Sequence, residues 1–282
     1  MKLYRRAVLT IALSALAAVS THASAMLGDE KYQPQVGQEG KDVIWVPTSD
    51  ALVKKMLETA KVTSSDLVYD LGAGDGKIPI AAAKDFGATA VGIEYNAEMA
   101  ALARRNASRA GVADKVKIIT GDIFKEDFSK ATVVTMYLLP DLNLKLRPTL
   151  LKMKPGTRIV SHAFTMGDWE PDQRIDTEMA QGYFWIVPAS VGGRWTLSGI
   201  GTHKEVTLQL SQRYQAIGGT MTMNKKTQPI LSPTLQGDRL TFGFIDEQDQ
   251  LHTVKAKITG HHLQADVSAG SQFYAIKGLH HH

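Results

Sequence analysis

Val68-Tyr69-Asp70-Leu71-Gly72-Ala73-Gly74-Asp75-Gly76-Lys77 reads as a short apolar strand running into a glycine-dense turn that opens a helix over 78–86. Glycines let the backbone approach a ligand and take dihedrals closed to other residues. The start of a helix offers free N–H groups to an anion. A dinucleotide site is the general alternative, but its fingerprint wants a third glycine three residues after the second. That position is Lys77. Asp70, just ahead of the glycines, also suits a cationic or hydrogen-donating ligand better than a pyrophosphate.

Outward from this turn, strands and helices alternate. Residues 90–94 form a strand, Asn96 caps a helix running to Ala110, and Gly111 stops it. Strands follow at 116–119 and 132–137, then a helix over 142–153 with Pro155-Gly156 as its stop, and a strand at 158–164. Residues 174–179 and 183–187 read as a hairpin. Upstream, Leu52, Val53, Met56, Leu57 and Ala60 recur at helical spacing behind a cap at Thr48 or Ser49. Residues 26–43 read as an irregular lead-in. This rhythm predicts an α/β fold: a doubly wound, mostly parallel seven-stranded sheet covered on both faces. After Phe164 the helical signals vanish. Alternation at Val206, Leu208, Leu210 and at Leu240, Phe242, Phe244, with glycine turns between, predicts a small antiparallel all-β barrel or sandwich over 190–278.

Two more acids fall at the ends of consecutive strands. Glu94, followed by Tyr95, can take both hydroxyls of a ribose. Asp122 can accept from an adenine amino group, with Ile123 or Phe124 covering the ring. Asp70, Glu94 and Asp122 together mark the ligand-binding edge of an α/β sheet. At these residues the sequence resembles the class I S-adenosylmethionine (SAM) methyltransferases, over about residues 43–189. The resemblance implies that Gly72, Ala73, Gly74, Asp75 and Gly76 hold the methionine part of SAM, Glu94 the ribose and Asp122 the adenine.

Shorter segments are similar to the archaeal and mitochondrial lysine methyltransferases, and to bacterial proteins with a leader and a β tail. These are Val46-Pro47-Thr48, Tyr137-Leu138-Leu139-Pro140, Ser161-His162-Ala163-Phe164 and Gly167-Asp168-Trp169. The Asn/Asp-Pro-Pro-Tyr/Phe signature of base and glutamine-amide methylation is absent, and Tyr137–Pro140 stands in its place. The implied acceptor is an amine, a protein lysine first. A small-molecule acceptor, and an exported SAM-binding protein with little turnover, are the alternatives. Tyr137 is the best-placed polar group for aligning an amine; a packing role beside the cofactor is equally open. Thr48 either contacts the cofactor carboxylate or caps the helix. His162 reads as a core or supporting histidine, and Asp168 and Trp169 either shape the acceptor site or form a turn with an anchoring aromatic. His261-His262 sit in a turn where adjacent side chains diverge, so no shared metal is expected.

Composition narrows the remaining classes. The chain has 282 residues, ample for two modest domains, and no cysteine, which excludes disulfides, thiolate metal sites and cysteine nucleophiles. The formal charge of +4 owes three units to Lys2, Arg5 and Arg6. Without them the body is nearly neutral and lacks the footprint of a strong nucleic-acid binder. Residues 1–25 carry those cations, an apolar run from Ala7 to Ser20, and Ala23-Ser24-Ala25. This is the plan of a secretory signal peptide, shorter than a spanning helix needs. Cleavage leaves no membrane anchor and predicts a periplasmic or secreted protein. Arg5-Arg6 also fits a twin-Arg route; an uncleaved anchor, or cytoplasmic residence if the leader is unused, is the alternative. Residues 279–282 read as a tag remnant.

Overall fold

The computed structural model describes residues 28–198, 206–267 and 272–277. The expected leader and the C-terminal tag lie outside the described residues. Helix α1, Asp50–Thr59, is capped by Ser49, whose hydroxyl accepts from the Leu52 N–H (3.3 Å); Thr48 is left for another task. Strand β1, Leu67–Leu71, leads through the glycine turn into α2, Lys77–Phe86. Then come β2, Thr89–Glu94; α3, Ala97–Arg109; β3, Val116–Thr120; and β4, Val133–Met136. Asn96 caps α3 by accepting from Glu98 N (2.9 Å) and Met99 N (3.0 Å). Helix α4, Pro140–Leu150, starts two residues before the periodicity does, because Pro140 sits in the first turn, where no N–H is needed. Strands β5, Arg158–His162; β6, Gln173–Asp176; and β7, Gln181–Ile186 complete the first unit.

These seven strands form one sheet in the order β3-β2-β1-β4-β5-β7-β6. All pairs are parallel except β5–β7 and β6–β7, the late hairpin. Strand order reverses between β1 and β4, which puts the crevice of the fold at the carboxyl ends of β1, β2 and β4. One face of the sheet is sealed by α1, α2 and α3 through Leu52, Met56, Leu57, Ala82 and Ala103. The other is sealed by α4 and the segment around Trp169 through Leu146, Leu150, Trp169 and Trp185.

The second unit resolves the barrel-or-sandwich alternative. Its strands are β8, Gly193–Ser198; β9, Val206–Arg213; β10, Ala216–Met223; β11, Lys226–Pro229; β12, Leu231–Gln236; β13, Arg239–Ile245; β14, Leu251–Thr259; β15, His262–Val267; and β16, Gln272–Lys277. Each pairs with the next in chain order except β11 and β12, and β16 returns to pair with β8. The edges of this run are β11 and β12. Only Ile230 separates them, and its N–H donates to Gly219 O (3.1 Å), so the two are halves of one bent stave and the sheet closes into an up-and-down barrel. The inward residues of the alternating strands, among them Trp195, Leu208, Met221, Leu240, Phe242 and Val254, fill the barrel.

The β9–β10 turn joins the two units. Arg213 and the Tyr214 hydroxyl bond Asp168 (2.6 and 3.1 Å), Gln215 accepts from Trp169 Nε1 (2.9 Å), and the Tyr214 ring stacks on Trp169 at 6.0 Å. Arg147 on α4 completes the cluster around Asp168, whose carboxyl is held down at about 2 by these partners, Arg213 first. Asp168 and Trp169 therefore dock the barrel, which fits the turn-with-anchoring-aromatic reading. His261 lies in the β14–β15 turn and His262 in β15, and no metal-holding cluster occurs among the described residues.

Candidate functional site

A cavity of about 270 Å³ opens at the crevice. Its floor is the carboxyl ends of β1, β2 and β4, and its walls include Thr48, Asp70, Gly72, Ala73, Gly74, Asp75, Glu94, Tyr95, Asp122, Ile123 and Tyr137. Two expected residues stand elsewhere. Gly76 is packed against α3: a Cβ there would lie 3.0 Å from the Ala103 Cβ, and its φ of +85 is left-handed, so its glycine serves helix packing. Phe124 is turned away from the cavity, under the Lys145 ammonium at 4.0 Å, which leaves Ile123 as the apolar neighbour of Asp122.

The three acids differ in state. Asp70 is buried, and its Oδ1 accepts from Thr135 Oγ1 (2.7 Å). No described residue donates to its Oδ2. Burial, with Glu94 and Asp75 adding negative charge nearby, pushes the Asp70 carboxyl up to about 7. Glu94 is tied at both oxygens, accepting from Gly74 N and Asn96 N (both 2.8 Å). Burial raises its carboxyl too. The bond to Gly74 fixes the glycine turn against the end of β2. Asp122 accepts from Lys41 Nζ (2.8 Å) and Phe124 N (3.0 Å), and the Lys41 ammonium holds it below the usual carboxylate range.

Lys41 belongs to the lead-in, which is a built strap across the cavity and not an irregular tail. Gly37 N donates to Trp45 O (2.8 Å), Trp45 N to Gln38 O (2.9 Å) and Gly40 N to Val43 O (2.8 Å), forming a tight loop. Asp29 anchors its start through a forked pair with Arg105 on α3. At one end Lys41 reaches Asp122 and lies 5.0 Å from the Tyr95 ring centre. In the middle the Trp45 indole lies over Gly74, where a Cβ would stand 2.7 Å from its Nε1. At the other end the Thr48 hydroxyl bonds His162 Nδ1 (3.0 Å) and the Thr48 carbonyl accepts from Lys77 Nζ (3.0 Å). Lys41 and Trp45 are among the lining residues sequence reasoning missed. Trp45, a large aromatic five residues before a helix, was the available signal.

This geometry fits SAM. An open carboxylate oxygen of Asp70 suits a cationic amino group, Glu94 closes the turn next to it, and Asp122 with Ile123 lies at the far end of the same cavity. The comparisons agree. Residues 70–173 match the model of the ANTKMT methyltransferase domain. The chain is 49% identical over 138 residues to a protein-lysine N-methyltransferase of Saccharolobus islandicus, covering 48% of this chain and 86% of that protein. It is 32% identical over 130 residues to the adenine nucleotide translocase lysine N-methyltransferase of Mus musculus, covering 46% of this chain and 56% of that one. Among solved structures, an RNA methyltransferase from Salinibacter ruber in complex with S-adenosyl-L-homocysteine is 50% identical with a TM-score of 0.51, over 52% of this chain and 96% of that one. The matched length is about that of the seven-stranded unit.

Proposed function

Since this chain belongs to the class I SAM-dependent methyltransferases, in the branch of the protein-lysine enzymes, we propose that its acceptor is the side-chain amine of a protein lysine. The observation that carries this reading is the likeness to the archaeal protein-lysine enzyme, which extends over most of that protein's length. The residues are consistent with it. When bound, SAM supplies a methyl group on a sulfonium sulfur, which keeps the C–S electron pair as the methyl passes to the acceptor nitrogen. The chain's own task is to hold, align and dehydrate. Asp70, Glu94 and Asp122 hold the cofactor's polar groups, the strap excludes water, and Tyr137 forms the wall where an amine enters. An RNA acceptor, suggested by the name of the Salinibacter protein, fits a nearly neutral body less well.

The test is incubation with radiolabelled SAM and either poly-L-lysine or bulk tRNA. Methyl-lysine in the hydrolysed polymer is the expected product. Label entering only the RNA would overturn the lysine reading.

We also propose that the leader exports the protein. Among the described residues no helix is long and apolar enough to cross a membrane. Fractionation should find a periplasmic form beginning near Met26, and an intact Met1 form in the cytosol would refute export. A SAM-loaded protein that leaves by the twin-Arg route performs few turnovers without resupply, since even nanomolar binding, about 12 kcal/mol, releases ligand within minutes to hours at ordinary association rates.

No described residue of the barrel lines the cavity, so a truncation ending at Ala189 should keep its SAM affinity within about threefold. It should nevertheless melt roughly 5–10 °C lower, because Trp169 loses its cover. Calorimetry on the shortened chain reads both numbers. A folded truncation that binds no SAM would give the barrel a part in closing the pocket.

A further inference from the structure

At the carboxyl end of β5 the backbone makes a reversal that no turn residue announces. The Phe164 N–H donates to the His162 carbonyl (2.8 Å) across Ala163, whose φ is +65. A three-residue reversal with positive φ at a non-glycine centre is strained. It is held from several sides. Ser161 Oγ donates to Phe164 O (2.7 Å), and the fully buried Asn143 shares the two Nδ2 hydrogens among Ser161 Oγ (3.2 Å), Phe164 O (3.3 Å) and Thr165 O (3.2 Å). Strain fixed so thoroughly clusters at active sites.

The reversal brings His162 and Phe164 together around Tyr137. The imidazole and phenol centres are 3.7 Å apart, tilted by 32°, and the Phe164 ring lies 6.4 Å from Tyr137 on the cavity side. The imidazole cannot swing, because Thr48, the last residue of the strap, bonds its Nδ1 at 3.0 Å.

We propose that His162 is a positioning residue for methyl transfer: pinned by Thr48, its ring fixes Tyr137 as the wall against which the transferred methyl and the entering amine are aligned. The proposal deepens the amine-methylation reading and rests on it. The Thr48 hydroxyl, on this account, acts through His162 and not on the cofactor carboxylate. Burial lowers the His162 pKa to about 4. The ring is thus neutral at working pH, far too weak a base to take a proton from an alkylammonium, and adds no positive charge beside a sulfonium and an amine.

The experiment measures binding of two cofactor analogues to the full chain. S-adenosylhomocysteine lacks the methyl; sinefungin carries an ammonium in its place, next to Tyr137. His162→Ala should weaken sinefungin about tenfold and leave S-adenosylhomocysteine within twofold, because only the cation faces the aromatic wall. Thr48→Val should weaken sinefungin by about threefold, and the double variant should be no worse than His162→Ala alone. Thr48→Val also carries the test if His162→Ala fails to fold. Equal losses for both analogues, or no loss in a folded variant, would overturn the proposal. With poly-L-lysine as acceptor, kcat should fall, and KM for SAM, itself a cation at that position, should rise with the sinefungin loss; an unchanged kcat counts against the proposal. Wild-type protein that leaves poly-L-lysine unmethylated, with the sinefungin selectivity moving as expected, removes the lysine reading and keeps His162 in its role.

Discussion

Glu94→Ala should weaken SAM binding by about 2–3 kcal/mol, roughly 30- to 150-fold in affinity. The carboxylate has two jobs that the substitution ends together. The family resemblance implies that it accepts from ribose hydroxyls, and it already accepts from Gly74 N and Asn96 N. Loss of the first leaves the ligand's donors unpaired. Loss of the second frees the glycine turn from β2 and strips a partner from the residue that caps α3, so a drop in stability of about 1–2 kcal/mol should accompany the affinity loss. Glu94→Gln, which keeps one acceptor oxygen, should fall between. The fold should survive, since Glu94 ends its strand outside the packed core. Calorimetry reads affinity, and a thermal melt without ligand reads stability. Unchanged affinity in the alanine variant would remove Glu94 from the site.

Much of the seven-stranded unit was legible because its information is local. Apolar runs, caps such as Asn96 and stops such as Gly111 and Pro155-Gly156 repeat at short range, and they place three acids at consecutive strand ends. The rest depended on contacts between distant residues. Lys41 meets Asp122 across 81 positions, and no periodicity in the lead-in announces that a strap will lie over the glycine turn. Closure of the barrel hung on whether β11 and β12 were one stave, a matter settled by a single bond from Ile230 to Gly219. Asp168 and Trp169 read equally as acceptor-site residues or as a turn with an anchoring aromatic; the contacts that favour the second come from the β9–β10 turn, some 45 residues later. Gly76 shows the same limit in one residue: the motif predicts a cofactor role, while the neighbouring Ala103 explains the glycine.

The pH dependence of SAM binding should be set by Asp70. Its carboxyl titrates near 7 in the free protein because it is buried with one hydrogen-bond donor, Thr135, and two acidic neighbours. A cationic ligand needs the ionised form. Affinity should therefore fall about tenfold for each pH unit below 7, as binding must first expel a proton. Above about pH 8 the amino group of SAM loses its own proton, and affinity should decline again. The expected profile is a bell with its top between the two. Asp70→Asn should abolish the acid limb and weaken binding at pH 7.5 by roughly 100-fold, since a neutral amide replaces a charge-assisted partner in a buried site. Stability of the ligand-free protein runs the opposite way. The folded-state pKa lies above the unfolded value, so the native state binds a proton that the unfolded state lacks between about pH 4 and 7. This contribution is fully present below pH 4 and lost as pH rises through 7. SAM should accordingly raise the melting temperature far more at pH 7.5 than at pH 5.5, and the Asn variant should show little difference between the two. A wild-type affinity flat from pH 5.5 to 7.5 would show that Asp70 is ionised without the cofactor and that burial does not govern its charge.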